Sequence, residues 1–201
     1  MRLVLASASP RRAEILRGLG FSIDVHPAEV REDPLPDELP DVHVERLARL
    51  KAEVVSERFP DRWVLAGDTV VVHGGMILGK PKSAEDAVRM LVRLQGESHR
   101  VVSALALVRP AFEVGTGGAR ILSGVQDTTV HFQPFDRAVA EAYVRTGEPM
   151  DKAGAYGIQG RGATIVTRIE GDYTNVVGLP VSLLVRLLEG AGRPYRFDLR
   201  R

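Results

Sequence analysis

Residues 2–12 read Arg2-Leu3-Val4-Leu5-Ala6-Ser7-Ala8-Ser9-Pro10-Arg11-Arg12. A short apolar run gives way to small hydroxyl residues and then to a proline. The run predicts a buried strand over 2–6, and the apolar spacing from Ala13 to Leu19, closed by Gly20, predicts a helix. Pro10 suits the first turn of that helix, where its missing N–H would have no partner in any case. A strand feeding directly into a helix is the repeating unit of an α/β fold. Such a turn aims backbone N–H groups and the positive helix end at any anion, and two Ser hydroxyls and two guanidinium forks add donors. The same string also fits an ordinary turn with an exposed Arg pair. It is neither a Walker A nor a G-x-G-x-x-G loop.

Outward from this unit, residues 21–26 alternate like a half-buried strand. Residues 27–41 carry Pro27, Pro34, Pro36 and Pro40 among acids and form a loop long enough to carry function. Val42 to Phe59 is a helix, with Leu47, Leu50 and Val54 at i, i+3 and i+7. Residues 63–66 and 69–73 are strand, and Gly74-Gly75 turns the chain into a return strand over Met76 to Leu78. Ser83 and Asp86 have capping-box spacing before a helix reaching Leu94. Strands follow over 99–108 and 119–134, joined by a loose connection at 109–118. Asp136 caps a helix to Arg145, the glycine-dense 147–162 is turn, 163–170 is strand, and 180–189 is the last helix. Alternation of strand and helix followed by antiparallel hairpins predicts an α/β domain with a mixed sheet. No composition break marks a linker, so one domain spans 1–201, with room for two lobes.

Composition excludes several function classes. The 201 residues are 44% hydrophobic and 26% charged, the balance of a globular protein rather than a disordered one. With 27 basic and 26 acidic residues the net charge is +1, which leaves no broad electrostatic footprint for nucleic acid. No apolar run approaches a membrane span and the N-terminus does not read as a signal peptide. Cysteine is absent, which removes disulfides, zinc–thiolate sites and Cys nucleophiles and makes the cytoplasm the expected location. The five histidines, His26, His43, His73, His99 and His131, show no metal-ligand spacing.

The basic residues are mostly Arg. Only Lys51, Lys80, Lys82 and Lys152 are Lys, and Asn175 is the sole Asn. Where Arg fills most basic positions, a retained Lys points to a place that needs a compact ammonium. Lys82 has no evident role. Ala66-Gly67-Asp68-Thr69 falls at a strand end, where an Asp binds a hard cation, takes a proton from water, or simply makes a turn. The run Gly154-Ala155-Tyr156-Gly157-Ile158-Gln159-Gly160-Arg161-Gly162 lets backbone approach a ligand closely, and a Gln there carries both donor and acceptor for a uracil or thymine edge. A plain glycine-rich turn has the same composition. A last polar cluster, Gly171-Asp172-Tyr173-Thr174-Asn175, precedes the final helix.

Taken in order, S-A-S-P-R-R, A-G-D-T, G-K-P, D-K-A-G-A-Y-G-I-Q-G and G-D-Y-T-N-V-V-G-L-P resemble the Maf family of nucleoside triphosphate pyrophosphatases over nearly the whole chain. The D-K-A-G-A-Y-G-I-Q-G stretch is similar to the branch acting on dTTP and UTP. The resemblance implies an inosine-triphosphatase-like fold, with a central mixed sheet flanked by helices and a deep cleft. It implies hydrolysis between the α and β phosphates, giving a monophosphate and pyrophosphate, and a homodimer. On the matching positions Asp68 is the proton acceptor, and Arg11, Thr69 and Gln159 are tied to specificity. Ser7, Ser9, Arg12, Glu32, Lys51, Lys80 and Lys152 are further polar site positions. A triphosphate calls for a divalent cation, Mg²⁺ or Mn²⁺, with Glu32 and Asp68 as hard oxygen ligands. Ser103 stands where the family commonly has threonine, and 109–118 is idiosyncratic; neither touches the chemistry. Two rivals are kept: a pyrophosphatase preferring 7-methyl-GTP or inosine triphosphate, and a non-catalytic nucleotide- or nucleic-acid-binding regulator of division.

Overall fold

The computed structural model describes residues 2–114 and 120–197. Its strands are β1 (Arg2–Leu5), β2 (Ser22–Val25), β3 (Trp63–His73), β4 (Met76–Leu78), β5 (Ser98–Val108), β6 (Ile121–Phe132) and β7 (Val166–Gly171). Its helices are α1 (Pro10–Gly18), α2 (Pro40–Arg58), α3 (Ala84–Leu94), α4 (Ala111–Val114), α5 (Arg137–Arg145), α6 (Tyr173–Val177) and α7 (Val181–Gly190). The strands make one mixed sheet in the order β2-β1-β3-β5-β6-β7, with β4 paired to β3. β1 runs parallel to both β2 and β3, whereas β4 on β3 and β7 on β6 are antiparallel. This is the expected α/β class.

The chain divides into two compact units. The first holds residues up to Asp68, then 103–126 and the segment from Gly178; the second holds 69–102 and 127–177.

In the first unit Leu3, Val4 and Leu5 are fully buried, because β1 has a strand on each side and is covered on both faces. They join Leu16, Leu65, Leu105, Leu107, Leu184 and Leu188 in one core. Each such leucine stabilises the fold by roughly 2 kcal/mol. α1 starts as predicted, with Pro10 in its first turn and the Ser9 hydroxyl accepting from the Arg12 N–H. α2 buries Val44, Leu47, Ala48, Ala52 and Val55, a stripe at helical spacing, and Lys51 lies within that stripe.

In the second unit α3 packs beside α5 over Leu91, Leu94, Val101, Val130, Phe132, Tyr143 and Tyr156. Ser83 Oγ accepts from Asp86 N at 3.1 Å, but Asp86 returns its carboxylate to Lys82 N at 2.9 Å rather than to Ser83, so the capping box is only half closed. Asp136 caps α5 through Val139 N at 3.0 Å.

Several expectations are corrected. β3 does not stop at Gly67-Asp68 but runs unbroken from Trp63 to His73. Gly67 serves a close approach instead of a turn: a Cβ there would stand 2.9 Å from Leu105 Cδ2 and 3.1 Å from the Ala104 carbonyl oxygen. The connection after β5 contains α4, while its residues 115–118, and 119 of the expected following strand, lie outside the described residues. The stretch 160–164 is a 3-10 turn, with the Thr164 carbonyl taken by Gln133 Nε2 at 2.7 Å, so β7 begins only at Val166. Asn175 is fully buried. Its amide donates to the Val101 carbonyl at 2.9 Å and to Thr128 Oγ1 at 3.0 Å, so a core hydrogen-bond demand accounts for the chain's only Asn.

His99 is also buried, with Nε2 2.8 Å from the Tyr156 hydroxyl and Phe132 edge-on at 4.8 Å. Burial, with His73 and His131 nearby, pushes His99 down from its ordinary 6.5 to about 3. The unfolded chain therefore binds a proton that the folded chain refuses. The neutral ring's contribution is whole above pH 6.5 and is lost as pH falls toward 3. Denaturant unfolding across that window is expected to show stability falling with acid, by at most about 1.4 kcal/mol per pH unit from this group. His99→Gln, which does not titrate, should flatten the profile; an equal slope in both proteins would clear His99.

Candidate active site

The first unit gathers seven of the expected residues: Ser7, Ser9, Arg11, Arg12, Glu32, Lys51 and Asp68. Three meet directly. Lys51 Nζ lies 2.7 Å from Asp68 Oδ1 and 2.6 Å from Glu32 Oε1. α2 delivers the lysine from its buried face, β3 delivers the aspartate, and the long loop between β2 and α2 delivers the glutamate. Lys51 and Asp68 are both buried, whereas the Glu32 side chain is 56% exposed. Among the described residues no hydrogen bond engages Asp68 Oδ2, and no three His, Asp or Glu side chains form a ready metal cluster.

The loop after β1 forms a second network. Arg12 is buried and donates from Nη1 to Ser7 Oγ at 2.9 Å and from Nε to the Gly178 carbonyl at 2.8 Å. Ser7 Oγ also accepts from Ser9 N at 3.2 Å. Gly67 lies against this guanidinium at ordinary contact distance, a Cβ there standing 3.4 Å from Arg12 Nε. Burial lowers the Arg12 pKa and Arg11 adds to that, while the negative charges of Asp68 and Glu32 oppose it. Arg12 thus belongs to the same electrostatic neighbourhood as Asp68. Arg11 is partly buried.

The Glu32 loop is anchored by residues that sequence reading missed. The Glu38 carboxylate accepts from Arg46 Nε at 2.5 Å and Nη2 at 2.7 Å, and from Leu35 N at 3.0 Å; His43 Nδ1 is 2.9 Å away. The Arg46 fork is the first cause that holds the Glu38 pKa far below the usual carboxylate range, even against burial. Arg46 stands eight positions after Glu38, a spacing that no local pattern flags.

The second unit holds Thr69, Lys80, Lys152 and Gln159. Thr69 continues β3 and is partly buried; Lys80 and Gln159 are exposed. Lys80 is brought toward the glycine-rich segment through its neighbour, since Gly154 N donates to the Gly79 carbonyl at 3.0 Å. Lys152 Nζ is 2.5 Å from both the Glu148 carbonyl oxygen and Asp151 Oδ1. Gln159 sits in a loop closed around Glu148, another residue absent from the expected set. Glu148 accepts from the Tyr143 hydroxyl at 2.7 Å, from Gly162 N at 2.9 Å and from Arg161 N at 3.0 Å. Burial disfavours this carboxylate, but those bonds and the charge of Lys152 outweigh it and hold its pKa below the ordinary value. Burial is also the main cause that pushes the Tyr143 phenol up, which keeps it a neutral donor.

Comparison with known proteins follows the same lines. The family model described as Maf-like protein matches residues 2–191. The chain is 48% identical over 193 residues to a dTTP/UTP pyrophosphatase of Symbiobacterium thermophilum, covering 96% of this chain and 95% of that one. It is 48% identical over 197 residues to a dTTP/UTP pyrophosphatase of Anaeromyxobacter dehalogenans, covering 98% and 97%. Among solved structures, the Staphylococcus aureus Ham1 protein aligns with a TM-score of 0.51 at 15% identity, over 94% of this chain and 99% of that one, a likeness of fold.

Proposed function

The chain belongs to the Maf family, and from that premise we propose that it is a dTTP/UTP pyrophosphatase, hydrolysing the bond between the α and β phosphates to a nucleoside monophosphate and pyrophosphate. The observation that carries this reading is the convergence of Glu32, Lys51 and Asp68, in a chain nearly half identical to relatives of that name.

In this reading Asp68 accepts a proton from the attacking water. Lys51 holds Oδ1 and so orients the carboxylate, leaving Oδ2 for the water. Arg12 orders the Ser7 loop and contributes its charge, while Arg11 and the α1 first turn meet phosphate oxygens. Lys80 and Lys152 supply ammonium groups for the charge that builds on the leaving pyrophosphate. Thr69 and Gln159 set specificity, Gln159 by reading the pyrimidine edge.

The donor set also fits a hard divalent cation. Lys51 Nζ already occupies the point where the two carboxylates converge, so an ion would draw on Asp68 Oδ2 in place of the direct contact with water; Mg²⁺ typically takes one or two carboxylates with substrate phosphates completing its shell. Glu32 and Asp68 would hold such an ion, which would neutralise triphosphate charge when bound. We read the chain as one domain located in the cytoplasm and assembled as a homodimer. Among the described residues no helix is long and apolar enough to cross a membrane.

The test is a nucleotide panel with purified protein and Mg²⁺. Release of pyrophosphate from dTTP and UTP is expected; orthophosphate release, or preference for 7-methyl-GTP or inosine triphosphate, would sink the reading. Salt-dependent DNA binding without hydrolysis would favour the regulator class. Gln159→Ala is expected to erode the preference for dTTP over purine nucleotides by on the order of tenfold, with a smaller fall in kcat. An equal loss on every nucleotide would argue against base reading.

A further inference from the structure

The loop that carries Gln159 is pinned at both ends by two side chains. Tyr143 projects from α5 and accepts from Gly157 N at 3.2 Å. The same hydroxyl donates to Glu148 Oε1, and the two oxygens of Glu148 take the N–H groups of Gly162 and Arg161. Gln159 lies between these anchor points, with an extended backbone and an exposed side chain.

The glycines are shaped by this clamp. A Cβ at Gly162 would stand 2.1 Å from the Gly157 carbonyl oxygen and 2.5 Å from the Tyr143 hydroxyl. A Cβ at Gly160, whose φ is +66°, would stand 2.8 Å from Glu148 Oε2. Gly157 faces the Lys152 stem, with a Cβ position 2.9 Å from its Cε. The chain therefore crosses itself at 157 and 162, and an exposed segment receives a defined conformation from a partly buried carboxylate. Exposed loops without such anchors sample many states, and each state that misplaces a recognition group reduces apparent affinity.

We propose that Tyr143 and Glu148 are specificity-determining positioning residues that hold Gln159 in the orientation for pyrimidine selection. This rests on the pyrophosphatase reading above. Neither residue is assigned to touch the reacting atoms. Their effect should appear in KM and in the ratio between nucleotides, and only weakly in kcat.

The experiment compares wild type, Glu148→Gln and Tyr143→Phe on dTTP, UTP and dGTP, with and without Gln159→Ala, and adds amide hydrogen exchange at Arg161 and Gly162. In each clamp variant KM for dTTP is expected to rise about tenfold with kcat changed less, which lowers the dTTP-to-dGTP preference by a similar factor. Exchange at the two amides should quicken in Glu148→Gln. Adding Gln159→Ala to a clamp variant should cost little more selectivity, because both act through one group. Tyr143→Phe removes a single oxygen, so it decides the matter if Glu148→Gln does not fold. Unchanged selectivity in a folded clamp variant, or an equal loss on all three nucleotides, overturns the proposal. Faster exchange with wild-type selectivity overturns it too. Failure of the underlying reading would look different: the wild-type chain itself would show no selective pyrophosphate release.

Discussion

Asp68→Asn is expected to lower turnover of dTTP by about 10²–10⁴-fold, the usual worth of a positioned general base. The change is nearly isosteric, so it removes a charge and a proton acceptor while leaving shape intact. Asp68 stands in the middle of β3, buried, where Oδ1 meets Lys51 at 2.7 Å. An Asn at that position retains a carbonyl oxygen for the ammonium, and Lys51 keeps Glu32 at 2.6 Å. The expected cost in stability is therefore modest, about 1–3 kcal/mol. The measurements are pyrophosphate release at saturating dTTP and a thermal melt of the same preparation. Turnover within a fewfold of wild type would remove Asp68 from the chemistry. A collapse of the melt would show that the activity loss reports folding instead.

Lys51→Met should produce the largest loss of stability, about 3–5 kcal/mol, since removing one partner of a buried pair strands the other charge. The methionine fits the helical stripe between Leu47 and Val55, so the cost lies in Asp68 losing its hydrogen-bonded counter-charge, with only the through-space charges of Arg12 and Arg46 remaining, and not in packing. Glu32 is half in water and is stranded far less. The double variant Lys51→Met, Asp68→Asn should recover part of that loss, with a coupling energy of about 1 kcal/mol or more. Denaturant unfolding of the four proteins closes the cycle, and additive losses would deny the pair any special interaction. Lys51→Arg is not expected to substitute, because a guanidinium is broader than the point at which two carboxylate oxygens converge. That is the physical sense of a retained lysine in a chain that otherwise prefers arginine.

The scarcity of lysine and asparagine proved informative in two different ways. Lys51 is held between two expected site carboxylates. Asn175 lies in a different setting, because its amide satisfies buried groups of β5 and β6. Composition flagged both positions without distinguishing them. The distinction depends on which polar atoms face the residue once the strands have assembled, and a residue type alone does not encode its neighbours.

The parts of the fold legible in the sequence are those held by local forces. Pro10 marked the first turn of α1, Ser83 and Asp136 capped their helices, and the β4 return followed Gly74-Gly75, since each signal lies within a few residues of the bond it makes. α4 and α6, at four and five residues, were too short to show a period. Gly67-Asp68 has the composition of a turn, and its close approach to β5 in the sheet is what the composition does not show. By itself, then, the sequence determined the α/β class and the chemical types available to the site. The tertiary structure alone decided that Glu32, Lys51 and Asp68 share one point, that Glu38 and Arg46 anchor the loop bearing Glu32, and that Glu148 closes the loop bearing Gln159. Those contacts join residues on separate elements, where the driving force is the cost of leaving a buried charge or N–H without a partner, and that cost is set by folding rather than by adjacency in the chain.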